Sequence, residues 1–348
     1  MTSPSDSFKR KLLDPIEKLF KDALDAHQPP SMSGGRNYQP PPDAGGFIAD
    51  QGKTSEKEVR EMPLGRFDEA AYKAAMAQLN GLIGLRSAKR SLRRVANFAR
   101  IESERRRLKL PHSEIAFHCV FTGSPGTGKT SLARCLGKVL HALGLLEHGH
   151  TVEVDKSHLV GEFLGQTPGK VERVFDEADG GVLFVDEAYS LTHDKQDLYG
   201  HEAIDMIVKL MEDRRDRVVV VVAGYPKEMR DFINSNPGLR SRFGRKICFE
   251  DFNEVELLAI QKQMIRSSGF DSTEGFLLRS ELLWQNLYRE RLTGDSNARM
   301  VRNALEIVLE NQAARLIQIP SKKRYQLCEL LPEDLDGVEN QLRESAND

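Results

Sequence analysis

The run Gly123-Ser124-Pro125-Gly126-Thr127-Gly128-Lys129-Thr130 matches the pattern G-x-x-x-x-G-K-[ST] at every fixed position, and that pattern restricts a chain to few folds. Its glycines let consecutive main-chain N–H groups turn toward one point with no Cβ in the way. A helix that follows directs its positive end to the same place. His118 to Phe121 reads as a short buried strand entering the loop, and Ser131 to His141 as a helix leaving it. Strand, glycine loop and helix in that order form a cradle for a polyphosphate. Lys129 would reach the β- and γ-phosphates, and the Thr130 hydroxyl would ligate Mg²⁺. The chain is therefore expected to bind a nucleoside triphosphate. The alternative, a glycine-rich turn without a ligand, is weakened by the flanking strand and helix.

A second signal follows at the right distance. Gly181-Val182-Leu183-Phe184-Val185-Asp186-Glu187 is an apolar strand ending in two acids. Asp186 would hold Mg²⁺ beside the loop, and Glu187 would polarise the water that attacks the γ-phosphate. A second acid next to the first is what a hydrolase needs. No N-K-x-D segment, the guanine-reading signature, occurs anywhere, which argues against a GTPase. Further on, Asn236-Pro237-Gly238-Leu239-Arg240-Ser241-Arg242-Phe243 sets two arginines ahead of the last strand. A guanidinium near a neighbouring subunit's γ-phosphate would stabilise transition-state charge; the plainer reading is a solvated basic turn.

The rest of the chain gives the organisation. Candidate strands at 117–121, 151–154, 181–185, 218–223 and 246–249 include several unbroken apolar runs, the pattern of strands covered on both faces. The expected fold is an α/β P-loop NTPase with a mostly parallel five-stranded sheet over 76–252, followed by a small α-helical lid over 253–335 and a tail at 336–348. Asn253 and Glu256 suggest a capping box opening the lid, with further helices near 274–289 and 296–317. Upstream, residues 1–28 hold an amphipathic helix with Phe8, Leu12, Ile16, Leu19, Phe20 and Leu24 on one stripe. Residues 29–75 read as a mostly disordered linker, Pro- and Gly-rich at its start. The helix could pack on its own body, dock a partner or touch a membrane; its balanced charge disfavours the last. The four cysteines lie far apart with no C-x-x-C spacing, so buried free thiols and a cytoplasmic location are expected. No apolar run is long enough to span a membrane.

In this order the motifs resemble AAA+ ATPases. The segments Gly81-Leu82-Ile83-Gly84-Leu85, Phe184 to Leu191, Val222-Ala223-Gly224-Tyr225 and Asn236 to Phe243 narrow the resemblance to the CbxX/CfqX group over about 76–335. The resemblance implies ATP and Mg²⁺ as cofactors. Contacts to the nucleotide would come from Gly123 through Ser131, that is Gly123, Ser124, Pro125, Gly126, Thr127, Gly128, Lys129, Thr130 and Ser131, with Asp186. It also implies that Ile83 and Gly84 line the adenine pocket, that Arg242, with Arg240 second, is a trans-acting arginine finger, and that Arg299 in Asn297-Ala298-Arg299 reaches from the lid to the γ-phosphate, Arg302 being a lesser candidate. The sensor-1 position carries Gly224-Tyr225 and is left unassigned. Gly161-Glu162-Phe163-Leu164-Gly165 falls where such rings place an aromatic pore loop, so Phe163, Leu164 and Gly165 are expected to be exposed and to grip a polypeptide, against the alternative that Phe163 packs in the core.

The expected whole is an ATP-hydrolysing motor, a homo-hexamer or a hetero-hexamer with a paralogue, acting on an unidentified protein client through a central pore. An ATP-gated scaffold and a nucleic-acid-linked ATPase are the alternatives. The latter would use the segment Arg86 to Lys109, rich in arginine and lysine, although a solvated helix face or subunit contact accounts for such a segment more simply. A Rubisco activase-like role is compatible with the resemblance. His148 and His150 lack nearby ligand partners in sequence, so a metal site there is not expected.

Overall fold

The computed structural model describes residues 67–111, 116–163, 165–192, 198–294 and 296–347. The amphipathic stripe expected within 1–28, the linker up to residue 66 and Leu164 lie outside the described residues. Five strands form one sheet: β1 (Cys119–Thr122), β2 (Thr151–Val154), β3 (Val182–Val185), β4 (Val219–Gly224) and β5 (Arg245–Cys248). Their order is β2-β3-β4-β1-β5 and every pairing is parallel, with Cys119 opposite both Val221 and Arg245, and Val182 opposite Thr151 and Val219. Alternate residues of each strand face opposite layers, because successive Cβ atoms leave a strand on opposite sides. Cys119, Phe121, Phe184 and Val221 point into one core, and Val120, Leu183, Val185, Val220 and Val222 into the other.

The first core is covered by α1 (Glu69–Gly81), α2 (Arg86–Arg107) and α3 (Lys129–Ala142). The second is covered by α5 (Gln166–Glu177), α6 (Leu198–Asp213), α7 (Pro226–Ser235) and α8 (Pro237–Arg242), with a short α4 (Lys156–Leu159) after β2. Helix α1 starts inside the stretch expected to be linker. Asp68 caps it by accepting from the Ala71 N–H at 2.9 Å, and Ala75 and Leu79 are buried against the body. Helix α2 buries Ala88, Leu92, Val95, Ala96 and Ala99 and turns its basic side outward. Several of those charges have local partners: Lys89 donates to the Asn80 and Leu82 carbonyls, Arg93 to Asn80, and Arg100 lies 5.3 Å from the Phe67 ring centroid.

The lid consists of α9 (Glu254–Ser267), α10 (Glu274–Arg289), α11 (Ala298–Ile317), α12 (Arg324–Cys328) and α13 (Val338–Asn347), with a two-stranded parallel pair of β6 (Asp271–Ser272) and β7 (Glu329–Leu330). The capping box is present: Asn253 Oδ1 accepts from Glu256 N–H at 2.9 Å, and Glu256 Oε2 accepts from Asn253 N–H at 3.2 Å. The expected tail at 336–348 is instead mostly helix α13. Its Val338 and Leu342, one helical turn apart, are 0% and 2% exposed, and Arg343 bonds Glu290 and Glu339 at 2.7 Å. The chain's single tryptophan, Trp284, is fully buried in the lid and donates its indole N–H to Gln261 Oε1 at 2.9 Å.

Cys119 and Cys135 are buried free thiols, as expected, and burial pushes the Cys119 thiol up to about 12. Cys248 departs from the expectation. It is exposed, because β5 is the edge of the sheet and only alternate residues of an edge strand face the core. Cys328 is half-buried.

His118 at the foot of β1 is 1% exposed and accepts from the Val220 N–H at Nδ1, 2.9 Å away. Burial lowers its pKa to about 4, with the Arg242 and Arg245 charges adding to the shift. The unfolded chain therefore takes up a proton below about pH 6.5 that the folded protein refuses until about pH 4. Stability is unaffected by this group above that window and falls by on the order of 3 kcal/mol on descending through it. His118→Asn, which keeps an acceptor for Val220, should flatten that fall; urea titrations at pH 7, 5.5 and 4 check it.

Candidate functional site

Strand β1 ends at Thr122, and the chain then turns through the glycine loop into α3. Gly123 donates its N–H to the Gly224 carbonyl at 3.2 Å, which fastens the loop's start to the end of β4. Thr127, fully buried, donates its hydroxyl to the Ser124 carbonyl at 2.7 Å and closes the turn. Gly126 sits at φ +71°, and a Cβ built there would lie 2.3 Å from the Ser296 carbonyl oxygen. Only glycine allows the lid turn to come this close. Lys129 Nζ donates to the Gly123 and Ser124 carbonyls at 2.9 Å each. Burial lowers its pKa; the carboxylates of Asp186, Glu187 and Asp251 oppose this, and Arg299 reinforces it.

These groups face one cleft of about 320 Å³ lined by Gly123, Pro125, Gly126, Gly128, Lys129, Thr130, Ser131, Asp186, Glu187, Tyr225, Met264, Arg299 and Arg302, among others. The second apolar strand delivers its two acids as expected. Asp186 Oδ1 accepts the Glu187 N–H at 3.0 Å, and Glu187 is exposed at φ +48°, a left-handed backbone that turns it away from the strand. Arg299 and Arg302 reach the same cleft from α11. Their turn is joined to the loop by a bond from the Ala298 N–H to the Gly126 carbonyl at 3.3 Å. The residues present fit a magnesium nucleotide: a loop in which Gly123, Gly126 and Gly128 carry no side chain, a half-buried cation, and a hydroxyl and carboxylate at Thr130 and Asp186.

Other expected residues fall outside the cleft. Ile83 and Gly84 do not line it, although Leu85 after them packs 3.3 Å from where a Gly128 Cβ would stand. Arg242 is held by Glu212 at 3.3 Å and by the Gly238 carbonyl at 3.5 Å, whereas the neighbouring Arg240 is exposed. Phe163 is 66% exposed, so it does not pack in the core. The main chain beside it is fixed by bonds with Gln166, and Gly161 donates to the Thr167 hydroxyl. Gly165 follows at φ +81°. His150 bonds the Glu177 carbonyl at 2.8 Å, and among the described residues no group of three or more His, Cys, Asp or Glu is arranged to hold a metal ion.

Two residues of this region, Met264 and Asp251, were not singled out from sequence, and a third, Tyr225, was named there without a role. Tyr225 lines the cleft with its ring 6.2 Å from that of Tyr189, whose phenol is pushed up to about 12 by burial and then by Glu187. Met264 enters from α9. Asp251, just past β5, acts on Lys129 through its charge and accepts a bond from Asn297 at 2.9 Å. The sequence signal for Tyr225 was its place after β4; for Met264 and Asp251 there was none, since their roles come from contacts across the chain.

A parallel sheet in this strand order, a phosphate-binding loop followed by a paired-acid strand, and an arginine-bearing lid define an ATP-binding P-loop ATPase. Residues 119–251 match the model of the ATPase family associated with various cellular activities (AAA), and residues 253–346 match an AAA lid domain. The chain is 38% identical over 259 residues to the chloroplastic ribulose bisphosphate carboxylase/oxygenase activase of Cyanidioschyzon merolae, covering 73% of this chain and 87% of that one. It is 39% identical over 241 residues to the protein CbbX of Cereibacter sphaeroides (69% and 77% covered) and 35% over 265 residues to the stage V sporulation protein K of Bacillus subtilis (74% and 80%). The chain belongs to the CbxX/CfqX family of AAA+ ATPases. Its fold is also that of a RuvB mutant of Thermotoga maritima, with TM-score 0.51 and 17% identity over 77% of this chain and 72% of that one.

Gly126→Ala tests the close approach of lid and loop. A left-handed backbone carrying a Cβ costs roughly 1–2 kcal/mol before the clash with Ser296 is counted, so ATP binding measured by calorimetry should weaken by at least about tenfold.

Proposed function

We propose that this ATPase works as a six-membered ring that remodels a protein client through its central pore, in a reducing cytoplasm. The observation that carries the reading is the pairing of a cleft that joins the glycine loop, two acids and the lid arginines with an exposed aromatic, Phe163, on a loop whose neighbours are pinned by hydrogen bonds. A large apolar side chain left in water costs folding free energy and offers sequence-independent grip on an unfolded segment. Phe163, with Leu164 and Gly165, is assigned to that contact.

Within the cleft, Lys129 and the loop amides bind the phosphates, Thr130 and Asp186 would hold Mg²⁺, and Glu187 takes a proton from the attacking water. Mg²⁺, when bound, neutralises charge on the phosphate oxygens. Arg299 reaches the γ-phosphate from the lid. Ile83 and Gly84 are assigned to the base, beyond Gly128. The nucleotide lies at a subunit boundary, completed by an arginine of the next copy. Arg240 is the better presented finger, since Arg242 is engaged by Glu212 within its own subunit; this reverses the order taken from sequence, and Arg242 then holds the Arg240 segment in place. The local partners of Lys89, Arg93 and Arg100 favour a protein client over nucleic acid.

Relatives named for Rubisco activation and for sporulation match at similar identity, 38% and 35%. The motor is what they share, and client choice is assigned to the amphipathic stripe of residues 1–28. A Rubisco-type client is one candidate for that docking.

Two variants test the proposal. Glu187→Gln should bind ATP, lose turnover by roughly 10²- to 10⁴-fold, and sediment as rings in ATP; unchanged turnover removes Glu187 from the chemistry. Phe163→Ala should keep basal turnover and lose the increase that client gives, as measured by phosphate release. A variant still stimulated by client would favour the scaffold reading. For the finger, Arg240→Ala subunits mixed with Glu187→Gln subunits should recover turnover above the weighted mean of the two, because each supplies what the other lacks.

A further inference from the structure

We propose that Asn297 is a positioning residue that couples the lid to the phosphate loop by fixing Arg299 at the cleft, an inference that rests on the ATPase reading above. One buried carboxamide makes three bonds at once. Its Oδ1 accepts from the Phe252 N–H at 2.9 Å, and its Nδ2 donates to Asp251 Oδ1 at 2.9 Å and to the Gly294 carbonyl at 2.8 Å. Asp251 and Phe252 belong to the segment leaving β5 of the ATPase body, and Gly294 to the turn entering α11 of the lid. Asn297 thus ties the two halves at the point where the chain passes from one to the other and back toward the nucleotide.

The backbone underlines the point. Asn297 is fully buried at φ +50° and ψ −124°, a region that residues with a Cβ seldom occupy. Such a conformation persists only where the surroundings over-determine it, and the three bonds do so. The residues that follow carry the effect to the site. Ala298 donates to the Gly126 carbonyl, and the Arg299 N–H donates to the Ser296 carbonyl at 2.9 Å. The turn is held on one side by the exit of β5 and on the other by the phosphate loop, with Arg299 projecting from it into the cleft. Asp251, the partner of Asn297, also acts on Lys129 through its charge.

Other side chains fail for chemical reasons. Aspartate keeps the acceptor for Phe252 but loses both donors and sets a carboxylate against Asp251. Glutamine is one methylene too long. Glycine accepts the dihedrals and makes none of the bonds. These differences separate positioning from mere support. If Asn297 acts through Arg299, its loss should be felt where a γ-phosphate is present and not where it is absent.

The test is calorimetry of Mg·ATP in the Glu187→Gln background, which prevents turnover, and of Mg·ADP in the same protein. Asn297→Gly should weaken ATP binding by about tenfold and leave ADP binding within about twofold, the size of an ordinary coupling between sites. Asn297→Asp should behave like Asn297→Gly. Combined with Arg299→Ala, Asn297→Gly should add nothing further, since the residue it acts through is already gone. Equal loss of ATP and ADP affinity, full additivity with Arg299→Ala, or a wild-type response in Asn297→Asp would each overturn the inference. If the parent protein binds neither nucleotide, the ATPase reading itself falls and takes this inference with it.

Discussion

The meeting of two backbones, at Gly126 of the phosphate loop and Ser296 to Ala298 of the lid, is the contact on which the site depends. The approach is so close that no Cβ fits, and it makes the two halves of the ATPase share one cleft wall. Lys129 is consequently partly buried, which penalises its charge, and three carboxylates around it compensate. A site built this way responds to lid position. Shifting the lid changes the solvation of Lys129, the reach of Arg299 and the geometry of the loop amides together.

The same arrangement brings Glu187, the proposed general base, and the lid arginine to the cleft from opposite directions. Glu187 stands at the carboxyl end of a sheet strand, where parallel α/β folds place their ligands. Arg299 stands near the start of a lid helix that crosses back over the loop. Under the proposed roles, hydrolysis removes the γ-phosphate that both Arg299 of the lid and Lys129 of the body would contact, so its loss would free lid and body from a common partner. In the ring proposed above, that local release would become relative motion of neighbours, and the Phe163 loop after α4 would ride on the moving body.

Much of this was legible in the sequence where the determining physics is local. The glycines of the loop, the unbroken apolar strands and the Asn253–Glu256 cap each encode a backbone demand within a few residues. The exposure of Phe163 was legible too, from the place of its glycine-flanked segment in the resemblance. Helix α1 was not, since it follows a Pro- and Gly-rich stretch and its inward face is carried partly by alanine. Helix α13 was read as tail because its buried pair, Val338 and Leu342, is short and set among polar residues. Cys248 was misjudged because edge position depends on strand order, which no local pattern records. Asp251, Met264 and Asn297 take their roles from partners distant in sequence or from a dihedral pair that residue type does not announce. The ranking of the two arginines before β5 as proposed fingers turns on Glu212, thirty residues before Arg242 in the chain.

Trp284 has a practical bearing on all of this. The chain has one indole, and it is enclosed within the lid, bonded to Gln261 between α9 and α10. Tryptophan emission from the unlabelled protein therefore originates in the lid alone, which makes the molecule its own optical gauge of how that half loosens or tightens when nucleotide arrives.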